Sequence, residues 1–330
     1  MSSKLTVAVT GSTGHVASAV IPLLTGAGHR VRALIRQPDP GLDSAGLETV
    51  TGNLSDPESL DRLVTGCGVV IHCAAVISLK SDRDPAIFET NVEGTRRLFD
   101  AAVRAGVRRF IHVSSIHAYD QLSADGVLDE NHPYCGPKAP RYDRSKRDAQ
   151  QFVLGQPAGP MEVLVVNPTA VIGPYDRKPS FIGKAVMDIY NRKFPMLISG
   201  GFDFVDVRDV AAGIVNAIHR GRGGEAYLLS GHWHSLGEVE RMIAGIRGGG
   251  RRLPVLPAWT GFAGLPFVTL AARLSGQEPV ITREAMLALK QGHQNISSRK
   301  AIEELGYNSR QLEETVRDTI DWFKQTGRLK

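Results

Sequence analysis

Tyr142 and Lys146 stand four residues apart in Tyr142-Asp-Arg-Ser-Lys146, at the opening of a helical run. That spacing puts both side chains on one helix face, about one turn apart. A free tyrosine titrates near about 10, so it moves protons poorly at neutral pH unless a nearby cation favours the phenolate. Lys146 can supply that charge. Upstream, an apolar run ends in Val113-Ser114-Ser115-Ile116-His117-Ala118-Tyr119, where a hydroxyl is suited to polarise a carbonyl oxygen. His117 and Tyr134 fall close enough to touch a ligand there, although each is equally at home as a structural residue.

A second constellation lies near the N-terminus. Thr10-Gly11-Ser12-Thr13-Gly14-His15-Val16-Ala17 joins an apolar strand to an amphipathic helix. In that context Gly11 permits a tight turn, Gly14 lets the backbone approach a pyrophosphate, and Ala17 keeps helix and strand close. Thr13, His15 and Val16 lie at the helix start, whose free N–H groups and positive dipole attract an anion. The next apolar run ends in Val31-Arg32-Ala33-Leu34-Ile35-Arg36. A carboxylate at the last place would bind a ribose 2′-hydroxyl, whereas a guanidinium accommodates a 2′-phosphate. Arg36 therefore favours NADP(H) over NAD(H), with a solvated surface arginine as the alternative. Asn53 and Leu54, after a third strand, are placed to meet an adenine. Ala74 and Ala75, after a fourth, are small where backbone must lie against the cofactor, and Pro168 follows the run Val163–Val166.

The elements that must hold these groups alternate regularly. Apolar runs at Leu5–Val9, Val31–Ile35, Val69–Cys73, Phe110–Val113 and Val163–Val166 are separated by helical patterns such as His15–Ala27 and Pro85–Ala105. Repeated strand and helix predict an α/β fold, a Rossmann-type doubly wound parallel sheet covered on both faces. Beyond about Asn167 glycine and proline become frequent, and helices such as Ser235–Ile246 and Leu312–Lys324 lack regular strand partners. The expected organisation is a nucleotide-binding domain over residues 1–167 and a smaller, irregular substrate-binding region over 168–330, partly interleaved with it.

Composition narrows the functional classes. The 330 residues include 35 glycines without a triplet period, so the excess belongs to turns. The net charge of +5 comes without a basic block, and no nucleic-acid partner is expected. Three cysteines, Cys67, Cys73 and Cys135, form no disulfide framework, which points to a reducing, cytoplasmic setting. The uncharged stretch Leu253–Ala272 carries Pro254, Pro257, Gly261, Gly264 and Pro266, which would break a membrane-spanning helix. Its Trp259, Phe262, Leu265, Phe267 and Val268 are expected either as plain core, as pocket lining or as a patch touching a membrane surface. His232-Trp-His234 has no third ligand at a metal-binding spacing, so no metal is assigned.

Taken in order, Thr10-Gly-x-x-Gly14-x-x-Ala17, Asn91-Val-Glu-Gly-Thr95, Ser115, Tyr142-x-x-x-Lys146, Pro168-Thr-Ala-Val-Ile-Gly-Pro174 and Phe204-Val-Asp-Val-Arg-Asp209 resemble the extended short-chain dehydrogenase/reductases. The resemblance spans most of the chain and is weakest over 236–282. It implies that Tyr142 is the general acid and that Lys146 binds the nicotinamide ribose and lowers the Tyr142 pKa. Ser115 would bind the substrate carbonyl, and Asn91 would be a supporting residue or simply a brace between helix and sheet. The Pro168–Pro174 segment and the Arg36 strand are similar to the dihydroflavonol 4-reductase and 3β-hydroxysteroid dehydrogenase branches. That similarity implies NADPH-dependent reduction of a small or apolar ketone or aldehyde. The 27 positions from Ser115 to Tyr142 are fewer than in dihydroflavonol reductases, so plant flavonoid reduction itself is not expected. An NAD-dependent sugar-nucleotide epimerase or dehydratase is the second expectation. A non-catalytic dinucleotide-binding regulator is the third, opposed by the intact Ser115, Tyr142 and Lys146. The helices around Pro85–Ala105 and Tyr142–Leu154 match those that pair homodimers in the family.

Overall fold

A computed structural model describes residues 4–39, 42, 47–77, 84–122, 126–157, 159–250, 252–265, 286, 287, 289 and 292–330. In chain order the strands are β1 (Thr6–Thr10), β2 (Arg30–Ile35), β3 (Glu48–Thr51), β4 (Val69–His72), β5 (Arg109–Val113), β6 (Glu162–Pro168), β7 (Ala170–Ile172), β8 (Leu197–Ile198), β9 (Gly201–Asp206), β10 (Ala226–Leu229), β11 (His232–Ser235) and β12 (Val255–Leu256). The main sheet is parallel throughout, in the order β10-β6-β5-β4-β1-β2-β3. From β1 the chain winds outward to β3, then returns to the other side of β1 as β4. The reversal opens a crevice at the carboxyl ends of β1 and β4, the usual ligand position in such sheets.

Both faces of the sheet are covered, which explains why its strands are apolar without alternation. Val7 and Val9 face a core that includes α1 (His15–Gly26), and Ala8 faces the opposite core with Leu60 and Leu63 of α2 (Pro57–Val64). Leu98, Phe99 and Ala102 of α3 (Gly94–Arg104) and Val153 of α4 (Arg141–Leu154) complete that second core. A single π turn, Glu89–Glu93, precedes α3 and carries Asn91 inward. Such π turns recur at functional positions.

The last strand of this sheet comes from beyond residue 167. β10 pairs with β6, and α6 (Val207–Arg220), which follows α5 (Phe181–Tyr190), packs on α1. Further helices are α7 (Leu236–Ile246), α8 (Arg299–Leu305) and α9 (Leu312–Gln325). The C-terminal helices do have strand partners, contrary to the sequence expectation. β7, β9 and β11 form a three-stranded sheet, and β8 pairs with β12. These strands are only two to six residues long and interrupted by Gly and Pro, so their periodicity is too short to read. Within this layer β11 runs directly into α7 through a capping box, in which Glu238 N–H donates to Ser235 Oγ (3.3 Å) and Ser235 N–H to Glu238 Oε2 (2.8 Å). No helix of the described residues is long and apolar enough to cross a membrane.

Candidate active site

The glycine loop after β1 is held from three sides. Gly11 has φ +68°, and a Cβ there would lie 2.7 Å from Ala74 N and 2.8 Å from Cys73 C, so loop and β4 backbone touch directly. Ser12 Oγ, buried, donates to Leu34 O (2.7 Å) and ties the loop to the end of β2. His15 Nε2 pairs with Pro174 O (2.9 Å) and ties it to the segment after β6. Gly14 N–H donates to Gly11 O (2.8 Å), and a Cβ on Gly14 would stand 3.0 Å from that oxygen. Helix α1 starts at Gly14 with no side-chain cap and no acidic residue in its first turn. Its first N–H groups, beside half-buried Thr13, His15 and Val16, are left for an anion, and this cradle fits a dinucleotide pyrophosphate.

Two arginines of one strand differ sharply. Arg32 is consumed by the protein: Nε pairs with Glu48 Oε1 (2.6 Å) and Nη1 donates to Leu63 O (3.1 Å) and Thr65 O (2.6 Å) at the end of α2. Arg36, just past β2, is exposed and its guanidinium meets no partner among the described residues. Asn53 is exposed, and its Oδ1 accepts from Ser55 N (2.8 Å) and Ser55 Oγ (2.5 Å), shaping a turn. Leu54 is buried in the core against Gly94, so its side chain is not available to an adenine. Ala74 and Ala75 are half-buried at the crevice, and Pro168 is buried at the end of β6, level with Leu229.

A buried polar chain, missed by the sequence reading, connects the two halves of the site. Ala74 N–H donates to Thr10 Oγ1 (3.3 Å), which is 2.7 Å from His72 Nδ1; His72 Nε2 is 2.8 Å from Thr95 Oγ1, which donates to Asn91 O (2.7 Å). The Thr95 proton can go only to that carbonyl, so His72 donates from Nε2 and accepts at Nδ1. Burial, with Lys146 nearby adding to it, pushes His72 down to about 3, consistent with the neutral ring.

The residues expected to be catalytic come together at the carboxyl ends of β5 and β6. The buried face of α4 is polar, presenting Tyr142, Asp143, Ser145, Lys146 and Gln150, and buried polar groups require partners. Tyr142 stands beside Ser115, whose Oγ accepts from His117 N (3.3 Å). Burial pushes the Tyr142 pKa up; Ser115 works against that rise and Asp143 adds to it. Lys146 Nζ donates to Val113 O (3.1 Å) at the end of β5.

Burial lowers Lys146 itself to about 8 from its ordinary 10.5, with Cys73 working in the opposite direction. Between these values the unfolded chain holds a proton that the folded chain has lost, so this lysine costs stability below about 8 and the cost is relieved as pH rises. Activity that depends on the ammonium should move the other way. kcat/KM is expected to fall above about pH 8, and Lys146→Arg should move that limb upward. An alkaline limb unmoved by the substitution would separate it from Lys146.

Asn91 is a brace in this structure. Its Oδ1 accepts from Val76 N (2.8 Å), and Nδ2 donates to Val76 O (3.0 Å) and Ser145 Oγ (3.0 Å), locking the chain after β4 to α4. Asn167 and Gln150 were also missed. Asn167 Nδ2 donates to Ser115 O (2.9 Å) and Gln150 Oε1 (2.6 Å), and Gln150 Nε2 donates to Tyr119 Oη (3.1 Å). Gln150 continues the i, i+4 series of Tyr142 and Lys146, a readable signal; Asn167 gave itself away only as the polar end of an apolar run.

Beside these groups lies a small cleft, partly open to solvent, between the segment after β5 and the small sheet. His117, Thr169, Phe202, Asp203, His293 and Ile296 are among its lining residues. His117 Nδ1 is 3.1 Å from Asp143 Oδ1, and its ring meets the Tyr142 ring edge-on at 5.5 Å. Tyr134 instead stacks on buried Tyr119. Of the aromatic and aliphatic residues of the uncharged stretch, Trp259 is 70% exposed, so it is not core, while Phe262 and Leu265 pack against Ile198, Met286 and Leu289. None of these three lines the cleft; Phe267 and Val268 lie outside the described residues.

Comparison with known proteins places this geometry. Residues 7–230 match the NAD dependent epimerase/dehydratase family. The chain is 31% identical to sterol demethylase protein B of Methylococcus capsulatus, over 98% of this chain and all of that protein. It is 30% identical to a putative dihydroflavonol 4-reductase of Synechocystis, over 98% and 95% of the two. The crystal structure of gox2253 superposes with a TM-score of 0.85 at 35% identity, covering 99% of this chain and 100% of that one. The chain therefore belongs to the NAD dependent epimerase/dehydratase family, the extended short-chain dehydrogenase/reductases, and is an NAD(P)-dependent oxidoreductase of that type.

Proposed function

We propose that the protein is an NADPH-dependent carbonyl reductase acting on a ketone or aldehyde. The observation that carries this reading is the juxtaposition of Ser115 and Tyr142 beside a small cleft whose described lining contains no Arg or Lys. Ser115 would hydrogen-bond the substrate carbonyl oxygen and Tyr142 would deliver its proton to it, an assignment that keeps the phenol protonated, as its buried position favours. Lys146 would hold the nicotinamide ribose, and Gly11, Gly14 and the start of α1 the pyrophosphate. The nicotinamide supplies the hydride that reaches the carbonyl carbon. Asn91, Asn167 and Gln150 position these groups by fixing α4 and the Ser115 backbone.

Three points favour reduction over epimerisation of a nucleotide sugar. A diphosphate needs cations, which the described cleft lining does not offer, whereas Ile116, Phe202 and Ile296 suit an apolar carbon skeleton. The relative from Synechocystis is named as a reductase. Arg36, at the end of β2, meets no partner among the described residues and is suited to a 2′-phosphate. Arg36→Asp should reverse the NADPH/NADH preference by about tenfold or more, since a charge-assisted bidentate pair becomes a repulsion. Steady-state kinetics with both cofactors checks this, and an unchanged ratio would remove Arg36 from the phosphate site. For the reaction itself, purified protein should oxidise NADPH with a panel of ketones and aldehydes. Tightly retained NAD, seen by mass spectrometry, with no carbonyl turnover would instead favour the epimerase.

A further inference from the structure

Asp203 stands in β9, the middle strand of the small sheet, and lines the cleft together with Ile116 and His117. It is 7% exposed, and its two carboxylate oxygens are used very differently. Oδ1 accepts from Thr169 Oγ1 (2.6 Å) and from Gly231 N (2.7 Å), which ties β9 to the residues just before β7 and β11. Oδ2 accepts from nothing among the described residues, yet it is not sealed off. Unlike His232 Nε2 and Trp233 Nε1 on the neighbouring strand, it keeps contact with solvent. The open space that Asp203 lines is the cleft, and its unused oxygen is the one left to face it.

Burying a carboxylate is costly, and the two bonds at Oδ1 require only one acceptor oxygen. An asparagine would supply that oxygen without the charge, so those bonds alone give no reason for an aspartate. What the aspartate adds is a second acceptor at the cleft. Burial pushes its carboxyl upward, while the bonds from Thr169 and Gly231 and the nearby His232 and His234 rings work against that rise and favour the ionised form. An ionised carboxylate only accepts, so the group it meets must be a donor. The cleft also presents Ile116, Phe202 and Ile296, which suit a neutral carbon skeleton carrying that donor rather than a second ion. A hydroxyl is such a donor.

We propose that Asp203 Oδ2 accepts a hydrogen bond from a hydroxyl group of the substrate, so that hydroxy ketones and hydroxy aldehydes are preferred over the same carbonyls without the hydroxyl. The proposal rests on the carbonyl-reductase reading and makes it more specific. Ile116 and His117 follow Ser115 directly in the chain and line the same cleft as Asp203, so the cleft lies next to the place assigned to the reacting carbonyl. Asp203 acts on specificity: it holds a hydroxyl away from that carbonyl and takes no part in the proton or hydride step.

The experiment measures kcat/KM with NADPH for matched ketones that carry a hydroxyl, a methoxy group, an amine or only hydrogen at the α, β or γ carbon. The wild-type enzyme should favour at least one hydroxy ketone over its methyl ether and its deoxy analogue by about tenfold or more, since the ether offers no donor. Asp203→Asn keeps Oδ1, where the Thr169 and Gly231 donors fix the amide oxygen, and puts an N–H donor in place of Oδ2. It should bring the hydroxyl-to-ether ratio to about one or below, because an amide N–H serves an ether oxygen as well as a hydroxyl. Cofactor binding and Tm report whether the variant is folded; if it is not, the wild-type order decides. Ketone turnover without a preference for hydroxyl over ether, a preference for the amino ketone, or an equal loss on every substrate in Asp203→Asn would overturn the inference alone. Absence of NADPH oxidation with every carbonyl would overturn both the inference and the reductase reading beneath it.

Discussion

Tyr142→Phe should lower kcat by about 10²–10⁴-fold, the range typical of losing a positioned proton donor, while leaving NADPH affinity within a few-fold. The substitution removes one oxygen from a side chain that is 7% exposed and leaves its ring against His117. Folding should therefore be preserved. Ser115 keeps its backbone bond from His117 N and the Asn167 clamp on its carbonyl, so the carbonyl-binding hydroxyl stays in place. Steady-state turnover and cofactor titration by fluorescence check the two halves of this expectation. Near-normal turnover in Tyr142→Phe would remove Tyr142 as the acid. Lost cofactor affinity would show instead that the phenol has a binding role.

The second large effect is expected at Gly11. Gly11→Val places a branched side chain where the backbone has φ +68° and where the first added carbon would lie 2.7 Å from Ala74 N. Left-handed backbone costs such a residue roughly 1–3 kcal/mol, and the clash with β4 backbone cannot be relieved by turning a side chain. The loop must move, and the crevice between β1 and β4 moves with it. Dinucleotide affinity is expected to fall by about 100-fold or more, accompanied by a lower Tm. Gly66→Ala is the control, with φ +71° but nothing within 4 Å of the added carbon. It carries the backbone cost alone and should lose about 1 kcal/mol of stability without touching cofactor affinity. Equal effects on binding in the two variants would show that the close approach at Gly11 is unimportant.

The parts of this site that could be read from sequence are those with a short, local signature. The glycine loop needs five adjacent residues on a strand–helix junction, and the Tyr142–Lys146 spacing needs one turn of helix. Ser115 came only with the resemblance, and the structure sets it beside Tyr142. The polar chain from Ala74 through Thr10, His72 and Thr95 to Asn91 has no local signature, because its members come from β1, β4 and the residues after it, α3 and the turn before α3. The same holds for Asn167, which reaches Ser115 across 52 positions of sequence. Leu54 turns its side chain into the core, as a residue after a strand can do as readily as face a ligand. The small sheet escaped because β8 and β12 have two residues each. In the uncharged stretch apolar type alone did not predict burial, and Trp259 lies on the surface.

The central claim is that this chain passes hydride from a reduced nicotinamide to a substrate carbonyl while Tyr142 supplies the proton. Incubation with NADPH deuterated at C4 and a ketone substrate, followed by mass spectrometry of the alcohol, tests it most directly. The account predicts one deuterium on the carbinol carbon from one of the two C4-labelled epimers, and none in Tyr142→Phe at matched time. Carbinol without deuterium from either epimer, or undiminished labelling in Tyr142→Phe, would contradict it.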